Sequence, residues 1–88
     1  VLVVSSLAMS LLSPRLIVCP ISSNPTPWPT KVFLPEGCGV AGAILCDQVR
    51  SVDGEVRFQR RLGEAPLLTL RQVRQTVFAL MTDPIDSP

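Results

Sequence analysis

The segment Cys46-Asp47-Gln48-Val49-Arg50-Ser51-Val52-Asp53 gathers polar side chains where the apolar run Ala43-Ile44-Leu45-Cys46 gives out. A similar transition lies upstream, where Leu16-Ile17-Val18-Cys19-Pro20-Ile21 ends in Ser22-Ser23-Asn24. Strand ends of this kind present chemistry without burying unpaired charge. Asp47 follows its apolar run directly, and strict alternation puts it on the face of Leu45 and Val49, where a lone carboxylate is costly. Either the strand bends there or Asp47 has a partner, with the backbone or Arg50 as the structural choice. In the functional choice the carboxylate stands at a cleft edge as acid, base or orienting group. Ser22 and Ser23 are turn formers and loop caps, or else hydroxyls available to a reaction.

The cations and the single tryptophan add to this set. Arg50, Arg57, Arg60 and Arg61 are four of the eight basic residues. Such a run is solvated charge by default. On one face it becomes a phosphate-binding stripe, because guanidinium pairs with phosphate bidentately. Trp28, set among prolines, either packs on the core or offers its ring to an unpaired base.

Composition narrows the chemistry. The chain has no histidine, which excludes histidine metal ligands and histidine acid–base catalysis. Its three cysteines, Cys19, Cys38 and Cys46, are odd in number and lack C-x-x-C spacing, so neither a disulfide framework nor a zinc cage is expected. Cys19 and Cys46 lie in apolar runs and read as core residues, while Cys38 between two glycines reads as more exposed. That usage fits a reducing, cytoplasmic setting. A net charge of +1 argues neither for nor against nucleic acid.

Eighty-eight residues make one small domain, which buries only roughly 60–65% of its unfolded surface. With 47% apolar residues and a mean hydropathy of +0.39, some hydrophobic surface is expected to meet a partner. Residues 1–12 are apolar but lack a basic leader, contain no bilayer-length run and are followed by Pro14-Arg15 and a second apolar stretch. Val1–Val4 reads as a strand separated from whatever preceded it, and residues 1–12 read as neither a signal peptide nor a membrane span.

The elements that must position these residues follow from pattern. Val1–Val4 reads as a buried strand and Leu7–Leu12 as one or two helical turns ending before Ser13-Pro14. Leu16–Ser23 reads as a strand in which Pro20 marks an edge or bulge. Asn24–Pro29 is an extended loop, because three prolines fix φ and exclude the α region from their predecessors. Lys31–Leu34 is a strand with Val32 and Leu34 on one face, and Pro35–Gly42 is a turn region. Ala43–Val52 is the longest strand expected, Arg57–Arg61 is basic and extended, and Gly63–Pro66 turns. Thr69-Leu70-Arg71-Gln72 has the form of a capping box, with Leu68 and Val73 placed as a hydrophobic staple. Leu70, Val73, Val77, Leu80 and Met81 form the stripe of an amphipathic helix that Pro84 limits. Short strands, many turns and one terminal helix indicate a mostly β (α+β) protein, a small curved barrel or sheet capped by the helix.

Taken in order, Val1-Leu2-Val3-Val4-Ser5-Ser6, Leu16 through Ser23, Trp28-Pro29 and the Cys46–Asp53 segment resemble the MazF/PemK (Kid) growth-inhibitor toxins of bacterial toxin–antitoxin modules. The likeness spans residues 1–82 as a toxin domain lacking the family's first strand, with 83–88 as a tail. It implies an SH3-like (MazF/CcdB-like) β-barrel with a C-terminal helix, a homodimer, and cleavage of single-stranded RNA without metal or other cofactor. A cognate antitoxin would block the RNA groove and carry any contact with operon DNA, and no membrane is involved. By position Ser22 stands where the family has a catalytic threonine, and Asp47 where some members use an acid–base aspartate. Ser23, Trp28, Gln48 and Arg50 are the implied RNA-binding residues. The implied reaction is attack by the ribose 2′-OH, leaving a 2′,3′-cyclic phosphate.

The departures carry their own expectation. The family's catalytic arginine aligns just upstream of Val1, and Leu7, Ser10 and Leu45 replace polar or charged family residues. This stretch alone is expected to be a weak or inactive nuclease unless upstream residues exist, since losing one transition-state donor costs about 10²–10³ in rate. The alternative function is non-catalytic, either a CcdB-like topoisomerase poison or a module that sequesters antitoxin.

Overall fold

Two proline- and turn-enforced corners break the apolar runs into short strands that form two sheets. The computed structural model describes residues 1–53 and 65–82. The expected basic stretch Arg57–Arg61, the start of the Gly63–Pro66 turn and the limiting Pro84 lie outside the described residues. Six strands are present: β1 (Leu2–Val3), β2 (Arg15–Cys19), β3 (Ile21–Ser22), β4 (Lys31–Phe33), β5 (Ala43–Leu45) and β6 (Arg50–Asp53). The helices are α1 (Leu7–Leu12) and α2 (Leu67–Met81), with a 3₁₀ turn at Cys46–Gln48.

The first sheet has the order β1-β2-β6 and the second β3-β5-β4, all antiparallel. In the first, Val18 lies opposite both Val3 and Arg50. In the second, Ile44 lies opposite Ile21 and Val32, and Ala43 opposite Ser22 and Phe33. Opposed residues share a face of a sheet. The Ile21–Ile44–Val32 row therefore points one way, into the core, and the Ser22–Ala43–Phe33 row the other. The core joins Val4, Cys19, Val32, Ile44, Cys46 and Val73, with Leu2, Ile17, Leu34, Leu70 and Val77 packed around them.

Leu16–Ser23 is two strands, not the single one expected. Pro20 supplies no N–H, so the ladder is interrupted there and the chain passes from one sheet to the other. Its carbonyl still accepts from the Leu45 N–H at 2.9 Å, which holds the two halves in line. Ala43–Val52 likewise divides. The Cys46–Gln48 turn bends the chain out of the second sheet, so Asp47 reaches solvent and β6 joins the first. Bending, and not a buried partner, resolves the cost of a carboxylate after an apolar run.

Helix α1 starts at Ser6, whose Oγ accepts the Met9 N–H at 3.2 Å, and ends at Ser13 before Pro14. Helix α2 differs from the capping-box expectation. Pro66, at φ −56, is its N-cap, and the Pro66 carbonyl accepts the Leu70 N–H at 3.0 Å. The helix thus begins ahead of Thr69, which is buried in the first turn instead of capping it. Leu68, Leu80 and Met81 are exposed, so neither the staple nor the distal part of the stripe forms, whereas Val73 is wholly buried and Leu70 and Val77 pack on the core. Arg74 Nε donates to the Val4 carbonyl at 2.9 Å and ties α2 to the chain just after β1.

Candidate functional site

Strands β3 and β4 both run antiparallel to β5, so the connection between them must return along the length of the sheet. That connection is residues 23–30. Lys31 fixes its path: its ammonium donates to the Asn24 carbonyl at 3.3 Å and the Thr26 carbonyl at 2.8 Å. Lys31 lies opposite Leu45, on the outward face shared by Ala43. The segment therefore crosses over that face, which accounts for the complete burial of Ala43 on the side away from the core.

Ser22 stands where this segment leaves the sheet. Its Oγ accepts the Asn24 N–H at 3.2 Å, and Asn24 Oδ1 in turn accepts the Thr26 N–H at 2.9 Å. Two successive side-chain-to-backbone bonds shape the turn. A serine hydroxyl has one proton and two lone pairs, so the Ser22 O–H remains able to donate outward. Ser22 is half-buried, and Ser23 and Asn24 are exposed.

Asp47 is exposed in the 3₁₀ turn, beyond the other end of β5 from Ser22. The strand rise puts the two on the order of 10 Å apart, beyond direct hydrogen bonding. Gln48 is exposed beside Asp47, and Arg50 is exposed on β6 opposite Val18, in the other sheet from Ser22. Trp28 is 62% exposed, which decides between core and surface in favour of surface. Its carbonyl accepts the Lys31 N–H at 3.0 Å, and the Thr30 carbonyl accepts the Cys46 N–H at 3.2 Å, so this end of the crossing segment lies toward Asp47. The site residues thus form two groups, Ser22 and Ser23 at one end of β5, and Trp28, Asp47 and Gln48 at the other, with Lys31 reaching between. Lys31 was absent from the sequence-based candidates. The signal for it was modest: a lysine opening a strand directly after a proline-rich loop.

Cys46 adjoins Asp47 but is sealed. Burial, with smaller contributions from Cys19 and Asp47, pushes its thiol from 9.0 up to about 11, and burial raises Cys19 as well. Both are inert core thiols at neutral pH, as their apolar setting suggested; Cys38 is half-buried. Among the described residues no three His, Cys, Asp or Glu side chains stand close enough to hold a metal ion, and no helix is long and apolar enough to cross a membrane.

Two antiparallel sheets with a C-terminal helix over their shared core define a small, mostly β fold, and the described strands do not close into a full barrel. The chain belongs to the PemK-like, MazF-like toxins of type II toxin–antitoxin systems, whose family model matches residues 1–81. It is similar to the solved structure of a MazE–MazF complex from Deinococcus radiodurans, with 35% identity and a TM-score of 0.83 over 91% of this chain and 81% of that one. MazF from the same organism gives 35% identity and a TM-score of 0.83, with 73% of that chain covered. A mycobacterial endoribonuclease in complex with its cognate antitoxin shares the fold at 16% identity and a TM-score of 0.81, over 91% of this chain and 77% of that one. A comparison with curated proteins returned no significant match.

Proposed function

We propose that this protein is an endoribonuclease toxin that cleaves single-stranded RNA through attack by the ribose 2′-OH, with no metal in the reaction. The observation that carries the proposal is the Ser22 hydroxyl, held at a strand end by the Asn24 N–H with its own proton free to donate. Aimed at a phosphate oxygen, that donor stabilises the charge that builds as the phosphorane forms. Lys31 has two of its three protons committed to the crossing segment and retains a third for a neighbouring phosphate. Asp47 serves as acid–base group on the same phosphodiester as Ser22, its carboxylate taking the ribose 2′-OH proton from the side opposite the Ser22 hydroxyl. Trp28 offers a stacking face, and Ser23, Gln48 and Arg50 contact the backbone or bases of the same strand.

The protein partners of this reading are a second copy of the chain, forming a homodimer, and a cognate antitoxin that occupies the RNA-binding surface. Operon DNA is reached only through that antitoxin, and the protein works in the cytoplasm. Leu7, Leu11 and Leu12 on α1 and Phe78 and Met81 on α2 are all exposed, which supports burial against such partners. The whole toxin domain, residues 1–82, takes part.

Induction of the full reading frame in cells, followed by primer extension on total RNA, tests the proposal. Discrete cleavage sites that vanish in Ser22→Ala and Asp47→Ala are the expected result. Growth arrest with intact RNA would indicate a topoisomerase poison instead, and no arrest a module that sequesters antitoxin.

A further inference from the structure

Next to Ser22, on the side away from Asp47, the surface opens into a cleft of about 660 Å³ between residues 23–25 and the turn at 34–42. Its size is that of a site for one small organic group. Phe33, at the end of β4 and 47% exposed, forms part of its lining. Phe33 and Ser22 flank Ala43 in one row of the sheet, so they share a face two strand spacings, ~10 Å, apart. Between them Ala43 lies completely buried beneath the crossing segment, whose residues 23–25 wall one side of the cleft. A base that enters the cleft beside residues 23–25 can be set against the Phe33 ring.

The polar groups of the cleft suit the edge of a base. Asn24 lines it, and because Asn24 Oδ1 accepts the Thr26 N–H, the amide N–H₂ is the uncommitted end. Glu36 contributes a carboxylate, which accepts two parallel hydrogen bonds. Gly37, with nothing within 4 Å of a built Cβ, and Gly39 leave that wall open to a flat ring, whereas Gly42 is packed against Ser22. Guanine presents two adjacent N–H donors to a carboxylate and, beside them, a carbonyl acceptor for an amide donor. Cytosine and adenine offer one exocyclic amino group, and uracil one ring N–H.

We propose that this cleft is a base subsite selective for guanine, in which Phe33 stacks the ring, Glu36 accepts from its N1–H and N2–H₂, and the Asn24 amide donates to O6. The inference rests on the ribonuclease reading for its biological ligand, but not for its test.

The purified protein is titrated with each of the four nucleoside 3′-monophosphates while the amide resonances of Phe33, Gly37, Gly39 and Gly42 are followed by NMR. Guanosine 3′-monophosphate is expected to shift them at a concentration at least tenfold below the other three. Glu36→Gln should erase that preference while leaving the spectrum folded, and Phe33→Ala should weaken all four nucleotides about 5- to 100-fold. Equal response to all four nucleotides, or shifts unchanged by Glu36→Gln, overturns the proposal. So does silence at these amides, which would leave the cleft to a protein segment. Cleavage of RNA by a protein whose cleft ignores the nucleotides would remove the subsite and keep the nuclease. Guanosine-selective shifts without RNA cleavage would remove the nuclease and keep the subsite.

Discussion

The backbone at Gly42 approaches Ser22 so closely that a Cβ at residue 42 would sit 2.7 Å from the Ser22 carbonyl oxygen and 3.0 Å from Ile21 Cγ2. Gly42 also has φ +133, where a side chain is strained. This contact sets the turn at 34–42 against the strand that carries the candidate hydroxyl. Gly42→Ala is therefore expected to lower stability by about 2–5 kcal/mol, from strain plus the forced separation. Chemical denaturation checks the value. Gly37 has nothing within 4 Å of a built Cβ, so Gly37→Ala bears only the cost of its φ of +84 and should be the milder change.

Helix α2 makes a second contrast. Val73 is completely buried in the core, and Val73→Ala should cost about 2 kcal/mol. Leu68→Ser and Gln72→Ala should change stability by less than about 0.5 kcal/mol, since Leu68 is 77% exposed and the N-cap is Pro66. A large loss in either of the latter two, read from the thermal midpoint, would restore the staple and capping box.

The thiols predict a pH dependence. Cys46 ionises near 11 in the folded chain against 9.0 when unperturbed, so the fold favours its neutral form. Its contribution is complete below pH 9 and is lost as pH rises toward 11, a change on the order of 2 kcal/mol. Cys46→Ala should flatten that alkaline decline. Alkylation at pH 8 should modify Cys38 first, because Cys19 and Cys46 are sealed from solvent.

Thr30 Oγ1 is shut away from solvent and finds no hydrogen-bond partner among the described residues. An unmade buried hydrogen bond costs about 1–3 kcal/mol, so Thr30→Val should be neutral or stabilising by about 1 kcal/mol. The change leaves the main-chain bond from the Cys46 N–H to the Thr30 carbonyl intact. Equilibrium unfolding in urea measures it.

Local chemistry in the sequence marked Pro20 and Asp47 as irregular points in their strands, but not what the chain does there. Pro20 reads as an edge or bulge because it lacks a donor. That the chain changes sheets there depends on which strands lie alongside, and pairing is tertiary. The bend at Asp47 was one of two ways to spare a carboxylate, and the 3₁₀ turn realises it. Thr69-x-x-Gln72 matched a helix start, yet Pro66 had already fixed the backbone a turn earlier. For the site, Ser22 is half-buried at a strand end while Asp47 and Trp28 are exposed, which leaves all three accessible without assigning them a role. Lys31 and the Phe33 cleft were hidden because the segment over the sheet is built from contacts distant in sequence.

The account turns on the Ser22 hydroxyl acting on a phosphate of single-stranded RNA, and product analysis with purified protein tests it most directly. Ser22→Ala is predicted to slow release of 2′,3′-cyclic phosphate ends about 10²–10³-fold, while Ser22→Thr, which keeps the hydroxyl, retains most of the rate. Cleavage by Ser22→Ala at the unaltered rate, with the same ends and sites, would contradict it.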